Sequence, residues 1–434
     1  MPAGQDDRLG SDKTHGRVNK CLSVRSRGTK FGYRHARGVL ENMASTDLLL
    51  TFNAGSSTVK IGIFATEGTE ARRIGKGVID FRAEPLSLNL TKGPQIIEMP
   101  LKAEVTEDLH GVIDETLALL ADHFDMTATR AAGHRVVHGG DRFTRAITLD
   151  AAATDAVDAL TPLAPLHQPQ ALRFIRALKH LKPHLAQTAS FDTAFHATQD
   201  DLVRRFAIPR MLHDEGIKRY GFHGLSYKFI AGELRRKASR AAKVVVAHLG
   251  SGASLCALDE GISRDCSMGF STLDGIPMAT RPGWLDPGVI LHLAGERKQS
   301  FEEIEDLLYH RCGLLGVSGI SADTRDLLKD GRLEARQAIN LFTLRIAGEI
   351  SRMAATLNGL DAIVFTAGIG EHQPEIRAGV ARRLSWLGLE IDEKANAAND
   401  FTISMRESRI LVHVVATDEE QVIAEEALSL LGSG

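Results

Sequence analysis

The stretch LLLTFNAGSSTVKIGIF, residues 48–64, decides the fold. Leu48–Phe52 reads as an apolar strand, and Asn53–Ser57 (NAGSS) as a turn of small residues. Thr58–Phe64 alternates again as a strand, which makes the whole stretch a hairpin. The unit recurs half a chain later. Lys243–Ala247 (KVVVA) enters His248–Ser254 (HLGSGAS), and Leu255–Leu258 leaves it. That repetition suggests an internal duplication, with one hairpin opening each half. A third small turn, Ala367–Glu371 (AGIGE), is expected after the buried-type strand Ala362–Thr366 (AIVFT).

Helical periods fill the spaces between these strands. Glu107–Phe124 carries Leu109, Val112, Ile113, Leu117 and Leu120 on one face. Glu334–Leu357 is long and amphipathic, and Glu419–Leu431 is helical. Alternating helices and strands predict α/β lobes with mixed sheets. No Pro- or Ser-rich linker separates the halves, so packed lobes around a cleft are expected, and such clefts are favoured ligand sites.

The 434 residues suffice for two to three domains. Hydrophobic residues at 43% and charged residues at 25% are ordinary globular values. No apolar run approaches the ~18 residues of a membrane span. The net charge of −3 makes no electrostatic case for nucleic acid or an anionic membrane. Four cysteines without a CxxC pair fit a reducing, cytoplasmic setting. The charge is uneven. Residues 1–42 hold nine Lys/Arg and four Asp/Glu, a net of +5, which leaves 43 against 51, or −8, for the rest. This leader has no sustained period and no signal-peptide core. An organellar address and a nucleic-acid arm compete with non-functional extra sequence, and the last is preferred because Met43 directly precedes the first strand signal.

The hairpin turns carry the first chemical clue. Glycine lets backbone N–H groups approach an anion without a Cβ in the way. Ser56, Ser57 and Thr58 add donors, and Lys60 adds charge. One such turn is adequately read as a plain hairpin. Two matched turns plus GIGE favour nucleotide binding. A P-loop is missing, and HLGSGAS and AGIGEH lack the third glycine of a dinucleotide fingerprint.

Polar residues beside apolar strands come next. Arg135 sits in HRVVHGG, Asp192 follows a strand in SFDTAFH, His223 lies between glycines in YGFHG, and Arg281 occupies the loop MATRPG. Each alone has a plain structural reading: a turn cap, a satisfied core histidine, or a salt bridge. Together they supply what transfer to an anionic acceptor needs. Arginine forks bind carboxylate and phosphoryl oxygens, and phosphoryl transfer demands positioning and charge neutralisation. His134 and His138 share a strand face too far apart to chelate zinc easily. Magnesium needs only one or two protein oxygens plus phosphates, for which Asn53 and the acids of Thr417-Asp-Glu-Glu are candidates. The alternative for that acidic run is a helix N-terminus with Thr417 or Asp418 as N-cap.

In these segments the chain resembles the acetate kinase family. The matching motifs run in family order: LLLTFNAGSSTVKIGIF, HRVVHGG, PLAPLHQPQ, FDTAFH, YGFHGLSY, VVVAHLGSGASLCA, DCSMGFSTLDGIPMATRPG, DPG, GLLGVSGISADTRD, VFTAGIGEH and TDEEQVIAEEA. They cover the chain from about Asp47 onward. The resemblance implies two duplicated actin-like (ribonuclease H-like) lobes closing on a nucleotide. A first lobe would span 46–193 plus 417–434. A second, nucleotide-binding and dimer-forming, would span 194–416, and 1–45 would be a poorly structured extension. It implies ATP, Mg²⁺ and a short-chain carboxylate, giving ADP and an acyl phosphate, in a cytoplasmic homodimer.

Residue by residue, the resemblance gives Asn53 and Glu419 the Mg²⁺ and sets Lys60 against the phosphates. Arg135 would bind the substrate carboxylate, Asp192 would be the acidic group in the cleft, and His223 and Arg281 would stabilise the phosphoryl group in flight. His248, Leu249, Gly250, Ser251 and Gly252 would surround the nucleotide. So would Asp323, Thr324 and Arg325, and Gly368, Ile369, Gly370, Glu371 and His372. Val137, Leu166, Phe222 and Thr272 would line the acyl pocket. The chain departs from the family pattern at Ser251, His372, Tyr227, Trp284 and Thr272, which bears on acyl-chain preference and rate. A propionate- or butyrate-preferring kinase is the alternative within the class, and a non-catalytic actin-like nucleotide switch is the rival outside it.

Overall fold

A computed structural model of the chain describes residues 47–55, 58–237 and 241–432. The leader at 1–42, Ser56 and Ser57 lie outside the described residues. The strands form two mixed sheets. The first contains β1 (Asp47–Ala54), β2 (Thr58–Glu67), β3 (Glu70–Asp80), β4 (Ser87–Lys92), β5 (Gln95–Pro100), β6 (Thr129–Val136), β7 (Ile147–Thr148) and β8 (Ala186–Phe191). Their order is β5-β4-β3-β2-β1-β6-β8-β7. The second contains β9 (Lys243–Leu249), β10 (Ala253–Asp259), β11 (Ile262–Cys266), β12 (Ala362–Thr366) and β13 (Leu411–Val414), ordered β11-β10-β9-β12-β13.

The wiring repeats. In each sheet the opening strand pairs antiparallel with the next, which pairs antiparallel with a third. On its other side the opening strand takes a parallel neighbour, which takes another. Both hairpins that the sequence marked therefore open a sheet of the same plan. The first sheet adds the β4–β5 hairpin on one edge and β7 on the other.

Alternation explains the layers. Leu48, Leu50 and Phe52 of β1 share a core with Val112, Ile113, Phe174 and Leu178, from the helices His110–Ala121 and Gln168–Leu181. Leu49 points the other way, to Ala424 and Ala427 of the helix Glu419–Leu431. A strand buried on both faces reads as a continuous apolar run, which is how LLLTF reads. Arg73 of β3 pins the start of the Glu419–Leu431 helix by pairing with Asp418, while its guanidinium lies 5.1 Å from the Phe64 ring centre. The second sheet is covered by the helix Leu333–Leu357, whose Phe342, Ile346, Ile350 and Met353 are buried. Burying a side chain of that size contributes roughly 1.5–3 kcal/mol.

Two elements differ from the sequence reading. The helix expected over Glu107–Phe124 is shorter, His110–Ala121. Leu109 is buried but adopts a left-handed backbone (φ 58°), which stops the helix from extending backward. The third small turn is instead a helix, Ala367–His372. Ala367 takes φ 64°, turning the chain sharply out of β12, and the Glu371 carboxylate accepts the Ala367 N–H at 2.8 Å. A side chain four residues on thus closes the first turn of a helix. Among the described residues no helix is long and apolar enough to cross a membrane.

Candidate active site

The marked side chains gather where parallel strands end. Phe52 of β1 pairs with His134 of β6, so Asn53 and Arg135 emerge side by side. Val136 pairs with Phe191, so Asp192 emerges one strand further along. In the second sheet His248 pairs with Thr366, which brings the β9 turn beside Ala367. Carboxyl ends of parallel strands are where α/β sheets hold ligands. Here they open on a cavity of about 530 Å³ whose walls include Asn53, Lys60, Arg135, His223, His248, Gly250 to Gly252, Glu371 and Glu419. A neighbouring cavity of about 710 Å³ shares Gly250, Ser251, Gly368 and His372 with it, and adds Arg281, Asp323 to Arg325 and Ile369.

Arg135 is the hub of the first-sheet side. Its Nη2 lies 2.6 Å from Asp192 Oδ2, and its Nε donates to both carboxylate oxygens at 3.1 and 3.2 Å. Its Nη1 donates to Asn53 Oδ1 at 3.3 Å. Asn53 Nδ2 in turn donates to Glu419 and Glu420, each at 2.8 Å. Burial works against the charge on Arg135, and the surrounding carboxylates, Asp192 first, more than restore it. Burial raises the Asp192 carboxyl and Arg135 pulls it down. For Glu419, burial is outweighed by Arg135, His248, Lys60 and the Asn53 bond, which hold it below the usual range. Asp418 caps the Glu419–Leu431 helix, accepting from Gln421 N–H. The acidic run therefore serves as a helix start and also sends Glu419 to the cavity.

His223 is strained into place. Its backbone is left-handed (φ 56°), and the next residue, Gly224, starts a helix against Asp192. A Cβ at Gly224 would stand 1.9 Å from the Asp192 carbonyl oxygen, so no other residue fits there. His223 Nδ1 meets Ser254 Oγ at 2.8 Å, and Ser254 Oγ meets the Tyr227 hydroxyl at 2.5 Å. The Tyr227 departure is thus the far end of a hydrogen-bonded chain that orients His223. The His223 ring stacks on His248 at 4.3 Å, and His248 Nδ1 bonds Ser226 Oγ at 2.8 Å. Burial pushes His248 down to about 4, and pushes His223 well below its ordinary value with help from His248 and both arginines. Both rings are neutral at pH 7.

Arg281 comes from the opposite side. A Cβ on Gly252 would lie 3.1 Å from Arg281 Nη2 and 3.5 Å from His223 Nε2, so glycine keeps this approach open. Arg281 Nη1 donates to the Thr272 carbonyl at 3.0 Å. Burial lowers its pKa, and among the described residues it makes no ion pair. A half-buried guanidinium without a carboxylate is a ready anion site.

The remaining expected residues divide. Val137 and Phe222 are buried in one apolar cluster with Ala164, whereas Leu166 is 41% exposed. Thr272 meets Arg281 through its backbone carbonyl, not its side chain. Leu249 is fully buried in the core beneath its turn, and Gly370 is buried in the Ala367–His372 helix. Glu371 Oε1 accepts the N–H groups of both Ala367 and Thr417, which ties two cavity loops together. Asp323 caps the helix Thr324–Lys329 and pairs with Arg325 at 2.5 Å. His134 stacks on Phe52 and bonds Gln187, while His138 lies beyond the end of β6, so the two do not share a strand face. Among the described residues no cluster of three or more His, Cys, Asp or Glu could hold a metal on its own.

Three contributors escaped the sequence reading. Lys76 lines the smaller cavity, and Arg82, after β3, lines the larger. His167 lies in the field of both arginines. Burial, then Arg281 and Arg135, brings it down to about 4. Only the PLAPLHQPQ motif marked its segment.

Two sheets of one plan, with glycine-bearing hairpin turns meeting over a cation-lined cavity, define a phosphotransferase of the actin-like fold. Residues 48–425 match the acetokinase family profile. The chain belongs to that family. Curated relatives include the acetate kinases of Rhizobium meliloti, 44% identical over 393 residues, and Methylocella silvestris, 43% over 394. These matches cover 89% and 88% of this chain, and 99% and 98% of theirs. Among solved structures, a propionate kinase from Francisella tularensis superposes with a TM-score of 0.81 at 33% identity, covering 88% of this chain and 98% of its own. The Porphyromonas gingivalis acetate kinase gives 0.79 at 31%, covering 89% and 100%.

Proposed function

We propose that this chain is a Mg-ATP-dependent acetate kinase, transferring the ATP γ-phosphoryl group reversibly to acetate to give acetyl phosphate and ADP. The observation that carries the reading is the approach of Arg281, a half-buried cation without an ion pair among the described residues, to His223 across Gly252, in a cleft that also holds Arg135. Curated relatives named acetate kinase support it over nearly nine-tenths of the chain.

The residues present fit Mg²⁺. Glu419 is a buried carboxylate held ionised beside the Asn53 side chain, whose amide nitrogen donates to it and whose oxygen accepts from Arg135, and a hard cation needs only such oxygens plus phosphates. When bound, the ion offsets charge on phosphoryl oxygens. Arg135 gathers the substrate carboxylate, and with Arg281 it reduces repulsion between two anions. The carboxylate oxygen is already a competent nucleophile at pH 7, so no strong base is required. Asp192 holds the Arg135 guanidinium in place. With Tyr227 donating to Ser254 Oγ and Ser254 to His223 Nδ1, the imidazole proton would sit on Nε2, available to the transferring oxygens. The glycine turns offer backbone N–H groups to the nucleotide, and Lys60 adds charge. Val137 and Phe222 form the buried wall of the acyl site. A cytoplasmic homodimer belongs to the same proposal.

A second reading, a preference for propionate or butyrate, is favoured by the 33% identity to a propionate kinase. One assay tests both. Purified protein is incubated with ATP, Mg²⁺ and acetate, propionate or butyrate, and acyl phosphate is trapped as hydroxamate. Product with acetate at the highest kcat/KM supports the first reading, and a higher value with the longer acids supports the second. No product above ATP hydrolysis with any acid overturns both.

A further inference from the structure

We infer that Lys76 is a second phosphate-contacting cation of the nucleotide site, reaching the polyphosphate chain from β3 alongside Lys60. The inference rests on the nucleotide-binding part of the function proposed above. Cross-strand register makes the case. Lys60 pairs with Val78, and Lys76 pairs with Gly62. In an antiparallel pair these positions place Lys60 and Lys76 on one face as diagonal neighbours, within reach of long side chains. The face is fixed by the flanking glycines. A Cβ at Gly75 would stand 2.6 Å from Phe124, and one at Gly77 would stand 3.0 Å from Leu88, so those positions press on the apolar core. Lys76, between them, faces the cleft, where it lines the same cavity as Lys60 and Arg135.

Arg135 is already paired with Asp192, but Lys60, on the same wall, makes no ion pair among the described residues. Glu371 is already engaged by two backbone N–H groups. Among the described residues Lys76 itself makes no ion pair and no side-chain hydrogen bond. A triphosphate lying between the two glycine turns would engage it, as a point charge on a flexible stem.

Lys76→Met tests this at an exposed site where folding is not at risk. The KM for ATP is expected to rise about 10-fold, with the KM for acetate and kcat within about twofold. Lys76→Arg should restore most of the loss. Inorganic tripolyphosphate, titrated calorimetrically, should bind the Met variant correspondingly more weakly and with a shallower salt dependence. An unchanged KM for ATP overturns the inference, and so does a parallel rise in both KM values, which would mean a disturbed cleft. Should the wild type form no acyl phosphate, the function proposed above fails, and the tripolyphosphate titration still decides Lys76.

Discussion

The two hairpins share a backbone plan but not a chemistry. The first carries Asn53 and Lys60 directly opposite each other, and its Asn53 is roped to Glu419 and Glu420 of the terminal helix. The second carries His248, stacked on His223, and a Gly252 that leaves room for Arg281. Permanent charge and carboxylates line one turn, and neutral rings and bare backbone line the other. Duplication kept the strand pairing, which the cores enforce, and let the turn residues diverge. The two turns can therefore divide the work: cation and phosphate charge at the first, nucleotide backbone contact and the reacting centre at the second.

The arginines probe this division most strongly. Arg135→Ala and Arg281→Ala are each expected to cut kcat by about 10²-fold or more, because both offset charge that develops in transfer. They should differ in stability. Removing Arg135 strands Asp192, which is buried and otherwise paired, at a cost of about 3 kcal/mol. Removing Arg281 breaks no ion pair among the described residues. Denaturant titration of both variants reads the difference. Equal losses of stability would erase the distinction between a scaffolded arginine and one kept open for an anion.

Glu419→Gln tests the first turn alone. Loss of its charge should raise the Mg²⁺ concentration for half-maximal activity by about 10-fold while leaving the KM for the acid nearly unchanged. A Mg²⁺ titration at saturating ATP checks it. If Glu419→Gln leaves that titration where it was, the metal is held elsewhere.

How far these roles were legible in the sequence depends on how local their causes are. The hairpins were readable because alternation in LLLTF and TVKIGIF is a property of neighbours in the chain. Arg135, Asp192, His223 and Arg281 were flagged by glycine- and proline-rich contexts at strand ends. Both readings of the Arg135–Asp192 pair hold together, since the salt bridge is also what aims the guanidinium at the cavity. Lys76 was invisible because its meaning comes from register with Gly62, fourteen residues away, and from glycines that look like mere strand breakers. His167 needed two arginines brought from distant segments. The AGIGE segment was misread as a turn because the cap that makes it a helix is a side chain, Glu371, closing on a left-handed Ala367.

The smallest effect concerns acid. His248 is held at about 4 in the folded protein, chiefly by burial, against about 6.5 when exposed. A depressed value means that the unfolded chain takes up the proton first. The stabilisation is complete above pH 6.5 and is lost as pH falls from there toward 4. Between pH 7.5 and 5.5 this one ring should cost the fold roughly 1 kcal/mol. His248→Gln removes that share, so the variant should lose about that much less stability than the wild type over the same two pH values. Chemical denaturation of wild type and His248→Gln at pH 7.5 and 5.5 measures the difference. Identical losses would mean that His248 meets water in the folded state and that its ring stack on His223 is not a dry contact.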